Sequence, residues 1–385
     1  MSSRTTVACY YFPNYHVDPR NEAVHGPGWT EWELVKRAEP RFPGHRQPRL
    51  PTWGALDESA PVVMAAKIDA AADHAVDVFL YDWYWYDNGP FLERGLERGF
   101  LQAANNARMR FALMWANHDW VDIHPAKLSG LGQHARLLYP GAVTRETLDT
   151  IADVVVERYF RHPTYWLVDG CPYFSVYDLA KLMEGLGGLE ATRDALASFR
   201  AKVRAAGFPD LHLNAVVWSV RILPGETAIA SPNELLSALG FDSITSYVWI
   251  HHVPLQGREA VSSLQVEYES VRDQYMVYWE ETEKRFSLPY FPNVTMGWDS
   301  SPRTVQSDVY VPAGYPFTPI LAGNTPERFQ AALAEAKARL ERLPAGHPRV
   351  LTINAWNEWT EGSYLEPDTE TGMAYLQAIR AVFGV

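Results

Sequence analysis

The sequence is poor in cysteine and has no long hydrophobic run. Cys9 and Cys171 are the two cysteines among 385 residues, and both lie in apolar segments. This pattern predicts small core residues rather than a disulfide or a metal pair. No segment reaches the roughly 18 uninterrupted apolar residues of a transmembrane helix, and the amino terminus lacks the basic and apolar regions of a signal peptide. We therefore expect no membrane insertion and a cytoplasmic location.

Positive charge is also scarce. The chain has 34 Lys and Arg residues against 46 Asp and Glu residues, and its formal net charge is −12. Because such a chain repels the phosphates of a nucleic acid, no nucleic-acid partner is expected. The local concentration of basic residues in 37–49 is interrupted by prolines, which is typical of a surface loop.

Several catalytic motifs are missing. No glycine fingerprint for a dinucleotide follows the first strand-like run, and no G-x-S-x-G indicates a serine hydrolase. No Asp-x-Asp motif is present for the metal of a nucleotide sugar. The segment HDWVDIH (118–124) contains His and Asp, but its spacing matches no zinc motif. The sequence therefore predicts neither a cofactor nor a metal.

Aromatic residues, by contrast, are abundant. The chain has 14 Trp, 20 Tyr and 16 Phe residues, and many stand beside acids and amides, as in YDWYWYD (81–87) and WNEW (356–359). Aromatic rings stack on the flat C–H faces of sugars, and carboxylates and amides bind sugar hydroxyls. These clusters favour a carbohydrate substrate.

Strand-like and helix-like segments alternate along the chain. Eight apolar runs rich in Val, Ile, Phe and Tyr are typical of strands covered on both faces; they are 7–12, 77–83, 110–115, 172–177, 212–218, 243–249, 293–298 and 350–356. Helical periodicity is clearest in 60–75, 145–160, 190–206 and 326–342. The alternation predicts an α/β fold, a (β/α)₈ TIM barrel, as a single domain over 1–385 with long loops after strands 1 and 6. A doubly wound open sheet is the alternative.

Polar and aromatic residues concentrate where the predicted strands end, which is where a (β/α)₈ barrel has its active site. The residues predicted to bind substrate are Tyr11, Trp29, Glu31, Asp82, Trp83, Tyr84, Trp115, Asn117, His118, Asp119, Trp249, His251, Trp298, Asp299, Trp356 and Asn357. For Glu31, a role in packing its loop is an equal alternative. The long helical stretch 259–286 is expected to form an outer barrel helix, whose Tyr and Trp residues would alternatively cover the mouth of the site.

The segment NAWNEWTEG (354–362) contains the predicted catalytic residues. Glu358 and Glu361 are three positions apart in a turn, so both carboxyl groups can point to the same side. Cleavage of a glycosidic bond needs two such groups, and close spacing favours retention of configuration. The negative charge of its neighbour and flanking Trp side chains would raise one pKa enough for that Glu to act as an acid. The alternative is a pair of structural acids in ion pairs or at a helix amino terminus.

Four motifs carry a resemblance to a known family. They are GWTEWELVKRAEPRFPGHRQPRLP (28–51), ALMWANHDW (112–120), MGWDSSPR (296–303) and NAWNEWTEGSYLEPD (354–368). In this order they resemble the WbsX-type proteins, which are often labelled glycosyltransferases but are similar to glycoside hydrolase family 99. The resemblance implies a (β/α)₈ fold with its site at the end of strand eight.

The resemblance also implies a mechanism. Glu358 would be the base that activates the 2-hydroxyl of the sugar, giving a 1,2-anhydro intermediate, and Glu361 would be the acid and then the base. Two departures from the usual pattern lie near the expected substrate. WANHDW (115–120) replaces a run closer to WANENW, and YDWYW (81–85) replaces a YHYW-like run. The preferred sugar is therefore expected to differ from that of close relatives.

Three functional hypotheses follow from the sequence. The first is a retaining glycoside hydrolase, endo-acting on a bacterial polysaccharide or oligosaccharide, with α-mannosidic linkages suggested by family 99. The second is a glycosyltransferase of surface-polysaccharide biosynthesis, which the family label and the expected cytoplasmic location favour. The third is a non-catalytic carbohydrate-binding barrel, against which the presence of Glu358 and Glu361 argues.

Overall fold

A computed structural model describes residues 4–131, 136–226, 232–255 and 264–384. Within these ranges nine parallel strands form a nearly closed barrel. They are β1 (Thr6–Tyr11), β2 (Val78–Tyr86), β3 (Arg110–Trp115), β4 (Cys171–Val176), β5 (His212–Val216), β6 (Ser243–Thr245), β7 (Tyr290–Phe291), β8 (Asn293–Thr295) and β9 (Val350–Asn354). All nine residues of β2 are buried, which explains its continuous apolar and aromatic character.

The strand order is β7-β6-β5-β4-β3-β2-β1-β9-β8. Pro292 separates β7 from β8, because a proline has no N–H for the sheet. The two short strands together occupy the seventh position, since β7 pairs with β6 and β8 pairs with β9. The hydroxyl of Tyr275 accepts the N–H of Asn293 at 2.8 Å beside this break. The predicted (β/α)₈ barrel is therefore confirmed, with its seventh strand in two pieces.

Helices surround the barrel in the described part of the chain. They are α1 (Pro19–His25), α2 (Trp32–Arg37), α3 (Pro61–Asp73), α4 (Arg145–Val154), α5 (Leu179–Leu186), α6 (Leu189–Ala205), α7 (Pro232–Leu239), α8 (Tyr268–Arg285), α9 (Pro326–Leu340) and α10 (Ala374–Phe383). Side chains of Thr144, Asp178 and Thr325 cap α4, α5 and α9 at their amino termini. None of the described helices combines the length and the apolarity needed to cross a bilayer.

Two expectations need correction. The segment 145–160 is α-helical only to Val154 and continues as one π-helical turn, Val155–Phe160. In the stretch 259–286, residues 259–263 lie outside the described part, and α8 forms the expected outer helix. Its Tyr268, Tyr275 and Trp279 are buried against the barrel rather than covering its mouth, because spacings of seven and four place them on one helix face.

The long loops decide where the site lies. Long segments separate β1 from β2 and β8 from β9, and the segment 296–319 after β8 was not predicted. Cys9 is buried in β1, but Cys171 at the start of β4 is partly exposed, so the core prediction holds for Cys9 alone.

Candidate active site

Glu358 and Glu361 lie on a short hairpin beyond β9. Strand Asn357–Glu358 pairs antiparallel with Ser363–Tyr364, and the turn Trp359–Glu361 joins them. Gly362 completes the turn at φ 63°, where a Cβ would lie 2.9 Å from the backbone nitrogen of Asp299. Both glutamates are buried. The tight turn therefore places two carboxyl groups at the carboxyl end of the barrel, as expected for the active site of this fold.

Arg303, in the loop after β8, joins these glutamates to a third. Its Nη2 lies 2.8 Å from Glu31 Oε1 and 3.1 Å from Glu358 Oε2, and its Nη1 contacts Glu361 Oε1. Tyr315 accepts a hydrogen bond from Arg303 Nη1 at 2.5 Å and donates to Glu361 Oε1 at 3.0 Å. One buried guanidinium thus contacts three buried carboxyl groups.

The surroundings separate the pKa values of the three carboxyl groups. Burial acts to raise the pKa of Glu31, but the positive charge of Arg303 and hydrogen bonds outweigh it and leave this pKa below its usual value. Burial raises the pKa of Glu361, against the opposing charge of Arg303 and the bond from Tyr315. Burial and the negative charge of Glu361 raise the pKa of Glu358 well above its usual value. Glu31 therefore favours the ionised state, whereas Glu358 and Glu361 both hold a proton more readily than an exposed glutamate does.

A second chain of polar groups runs from Glu358 to Asp82 on β2. The hydroxyl of Tyr247 lies 2.7 Å from Asp82 Oδ2 and 3.1 Å from Glu358 Oε1. A single hydroxyl proton cannot serve both oxygens fully, so an additional proton on either carboxyl group completes the chain. Burial raises the pKa of Asp82 well above its usual value, consistent with such a proton. Asp82 Oδ1 is buried without a partner in the described part of the chain and lines the pocket.

These groups line a cleft with about 740 Å³ of space that protein atoms leave unfilled, part of it open to solvent. Eight of the predicted site residues line it: Asp82, Tyr84, His118, Asp119, His251, Trp298, Glu358 and Glu361. Burial lowers the pKa of His118 and that of His251, the latter to about 3, so both are neutral hydrogen-bonding groups near pH 7.

Alternation along the strands places other predicted residues away from the cleft. On β2 the side chains of Asp82 and Tyr84 face inward, whereas Trp83 points outward and contacts Tyr159. At the end of β3 and just beyond it, Met114, Ala116 and His118 line the cleft, and the residues between them point away. Trp115 donates to the carbonyl of Trp85 at 3.1 Å, and Asn117 donates to the carbonyl of Asp178 at 2.7 Å. These residues shape the site without lining it.

Three more predicted residues are structural. The hydroxyl of Tyr11 donates to Glu58 at 2.8 Å inside the core. Trp249 begins a 3₁₀ turn and donates its indole N–H to the carbonyl of Asn293 at 2.9 Å. Asn357 accepts a hydrogen bond from the backbone N–H of Phe12 and donates one to the carbonyl of Phe12. These two bonds hold the hairpin of Glu358 and Glu361 against the residue that follows β1.

The residues predicted in the first loop and beside Trp298 also lie outside the cleft. Trp29 is partly exposed and stacks on His25 with ring centroids 4.1 Å apart. Glu31 lies behind Arg303 and does not line the cleft. Asp299 accepts bonds from His45 and Gln47, each at 2.8 Å, which keeps its pKa well below the usual value despite burial. Asp299 therefore holds two loops together.

A buried carboxylate, Glu366, contacts the hairpin that carries Glu358 and Glu361. Glu366 accepts the indole N–H of Trp356 at 3.0 Å and that of Trp359 at 2.7 Å. Its charge is balanced by Lys67 of α3, whose Nζ lies 2.7 Å away. Trp356 and Trp359 flank Glu358 in sequence, so this ion pair anchors the hairpin on both sides of the site. Trp356, which was predicted to bind substrate, instead holds the hairpin in place through its hydrogen bond to Glu366.

Sequence reasoning missed several residues of the cleft: Phe12, Trp120, His124, Tyr177, Tyr247, Arg303 and Tyr315. Arg303 ends the motif MGWDSSPR (296–303), and its signal was that it is the single basic residue of that motif. Tyr247 lies two residues before Trp249 in the same apolar run. The run does not predict that the side chain of Tyr247 lines the cleft while that of Trp249 does not, because this depends on how the backbone turns after β6. Tyr315 stands in an irregular loop with no pattern that marks it.

Solved structures share this barrel. An endo-α-mannosidase of family GH99 from Bacteroides thetaiotaomicron has a TM-score of 0.54 at 14% sequence identity, covering 98% of this chain and 96% of that one. A protein described as glycoside hydrolase-like has a TM-score of 0.62 at 14% identity, covering 100% of this chain and 96% of that one. At such identities the likeness shows a common fold.

Curated relatives of higher identity are two WxcX proteins of Xanthomonas campestris pv. campestris, described as uncharacterized. Each is 30% identical over 380 residues, which is 97% of this chain and 49% of the relative. The chain therefore spans about half the length of the curated relatives it matches. The model of the family described as Glycosyltransferase WbsX matches residues 7–379, and the chain belongs to this WbsX family, as the sequence motifs predicted.

Proposed function

We propose that this protein is a retaining glycoside hydrolase that cleaves within a bacterial polysaccharide or oligosaccharide, with Glu358 and Glu361 as its catalytic residues. The observation that carries the proposal is the pair of buried carboxyl groups on one hairpin at the cleft, both in contact with Arg303. Burial raises the pKa of both groups, so either can hold the proton that an acid must give to the departing oxygen in the cleavage of a glycosidic bond.

The proposed reaction uses the sugar's own 2-hydroxyl. Glu358 takes the proton of this hydroxyl, whose oxygen attacks the anomeric carbon while Glu361 protonates the departing oxygen. Water then opens the 1,2-anhydro sugar, giving its proton to Glu361, and Glu358 returns the first proton to the 2-oxygen. Two inversions at the anomeric carbon give net retention. Arg303 remains in contact with both groups and stabilises whichever is ionised.

The substrate-free pocket raises the pKa values of both glutamates. Burial is the largest cause for each, and the positive charge of Arg303 opposes it in both. Either glutamate can therefore hold the proton before substrate binds. The roles of the two residues are therefore assigned by resemblance, and a fluoride substrate tests them, as described in the Discussion.

A groove beside the cleft supports an oligomeric substrate. Ile222 and Tyr315 line both the cleft and this groove, which contains about 670 Å³ of unfilled space. A chain of sugars can extend from one into the other, as endo action requires. An α-mannosidic linkage is proposed by analogy with the structurally similar endo-α-mannosidase.

A glycosyltransferase is the second candidate function, because the family is described as one. Incubation with bacterial polysaccharides and oligosaccharides, with and without nucleotide sugars, distinguishes the hydrolase from the transferase. Mass spectrometry identifies the products, and NMR gives their anomeric configuration. We expect cleavage with retention in the absence of a nucleotide sugar, lost in Glu358→Gln and in Glu361→Gln. Glu234→Gln, which changes an exposed carboxylate on α7, is the matched control. Transfer that occurs only with a nucleotide sugar would overturn the hydrolase.

A further inference from the structure

One wall of the cleft is aliphatic. Among the described residues that line it, Val121, Ile123, Ile222, Leu223 and Pro224 carry side chains that neither donate nor accept hydrogen bonds. The first two follow β3 and the other three follow β5. They are partly or fully exposed rather than part of the buried core, so a ligand in the cleft meets them directly.

The loop that carries Ile222 and Leu223 is held in place by a buried carboxyl group. Glu226 accepts the backbone N–H of Ile222 at 2.7 Å and that of Leu223 at 2.9 Å, and it accepts the hydroxyl of Tyr177 at 2.7 Å. A Cβ on Gly225 would lie 2.9 Å from Asp119 Oδ2, so this loop also packs against the loop after β3. The aliphatic wall is therefore a built surface of two loops in contact.

The aliphatic wall faces the catalytic groups across the barrel. Strands β3 and β5 lie on either side of β4. In the strand order of the barrel, β4 is opposite β9, and the hairpin beyond β9 carries Glu358 and Glu361. A sugar bound between the walls can place its reacting hydroxyl and anomeric carbon near the carboxyl groups. The substituent on its far edge then meets methyl and methylene groups. A hydroxymethyl group there loses water without gaining a partner, whereas a methyl group gains contact.

We propose that the cleft selects a 6-deoxyhexose, a sugar whose C6 is a methyl group that packs on this aliphatic wall. The inference rests on the proposed function, since it takes the ligand to be a sugar that presents its anomeric carbon to Glu358 and Glu361. A 6-deoxy sugar keeps the 2-hydroxyl that the proposed reaction needs. It also keeps the hydroxyls that polar residues lining the cleft, such as Asp82 and His251, can bind.

The test measures binding of methyl α-D-mannopyranoside and its 6-deoxy counterpart to the full chain by calorimetry or NMR titration. These ligands differ in one hydroxyl. We expect the 6-deoxy sugar to bind more tightly by a factor of roughly 10 to 100, the range by which an apolar pocket rejects an added hydroxyl. Ile222→Asn and Leu223→Asn, which offer a polar partner, should shrink this factor towards one. Val62→Asn, at an exposed apolar position of α3, should leave it unchanged.

Each outcome decides the proposal. Equal or weaker binding of the 6-deoxy sugar, failure of both sugars to bind at tens of millimolar, or a factor unchanged by Ile222→Asn in a folded variant would each overturn it. Hydrolysis is scored separately on polysaccharides with and without 6-deoxyhexose residues. Selective binding of the 6-deoxy sugar without any hydrolysis would sustain the inference and overturn the proposed hydrolase. Preferential hydrolysis of fully hydroxylated polymers would overturn the inference and sustain the hydrolase.

Discussion

Arg303 donates a hydrogen bond of 2.8 Å to the carboxylate of Glu31, which is 272 residues away in the chain. The contact joins the loop after β1 to the loop after β8, and both side chains are buried. The same guanidinium contacts Glu358 and Glu361. Much of the electrostatic balance of the site therefore depends on one residue.

Replacement of Arg303 by Met should destabilise the fold and abolish activity. Loss of one partner of a buried ion pair costs about 3–5 kcal/mol, because the remaining carboxylates are left uncompensated. Urea unfolding measures the change in the free energy of unfolding. Arg303→Lys is the matched variant, because it keeps the positive charge but loses the bidentate geometry of the guanidinium. We expect Lys to restore part of the stability and little activity. An Arg303→Met protein of unchanged stability would contradict the role of Arg303 as the central cation.

The fluoride of the cognate sugar should distinguish the two glutamates. Because fluoride leaves without a proton, Glu361→Gln should retain much of its activity on a glycosyl fluoride while losing it on the natural linkage. Glu358→Gln should be inactive on both, since no group would activate the 2-hydroxyl. Initial rates of fluoride release measure this. The reverse pattern would exchange the roles of the two residues.

Glu366→Gln should lower the turnover number, because the hairpin that carries Glu358 and Glu361 would shift. The variant keeps the size of the side chain but leaves Lys67 buried without its 2.7 Å partner, so the free energy of unfolding should fall by about 3–5 kcal/mol. The double variant Lys67→Met/Glu366→Gln should recover part of that stability, because it removes both members of the 2.7 Å pair and takes this cation only from Glu58, which lies 3.7 Å from Lys67 Nζ. Additive losses in the double variant would show that the pair is not coupled.

Glu226 should make stability depend on pH. Burial raises its pKa to about 7, so the folded state holds a proton that the unfolded state releases near pH 4.5. Stability due to this proton is complete below pH 4.5 and is lost as the pH rises to about 7, by up to about 3 kcal/mol. Glu226→Gln imitates the protonated form and should flatten this part of the profile. Thermal or urea unfolding between pH 4 and 8 gives the comparison, and an unchanged slope would contradict the assignment.

The fold was largely predictable because its strands are covered on both faces. Each of the eight apolar runs corresponds to a position in the barrel, since a strand between a packed interior and a layer of helices must be apolar throughout. The break at Pro292 was not predicted, although a proline in a central strand argues for one. The burial of Tyr268, Tyr275 and Trp279 depended on helix phase, which composition does not report.

By itself the sequence determined the barrel, the family and the two glutamates of NAWNEWTEG, because these depend on local apolar pattern and on motifs of contiguous residues. The tertiary structure alone decided which aromatic and polar side chains reach the cleft. Trp83 and Asp82 are neighbours in the chain, yet one faces the helices and the other the cleft, since alternate residues of a strand point to opposite faces. It also decided that Arg303, Tyr247 and Tyr315 meet the glutamates, because groups far apart in sequence come together only when the barrel closes.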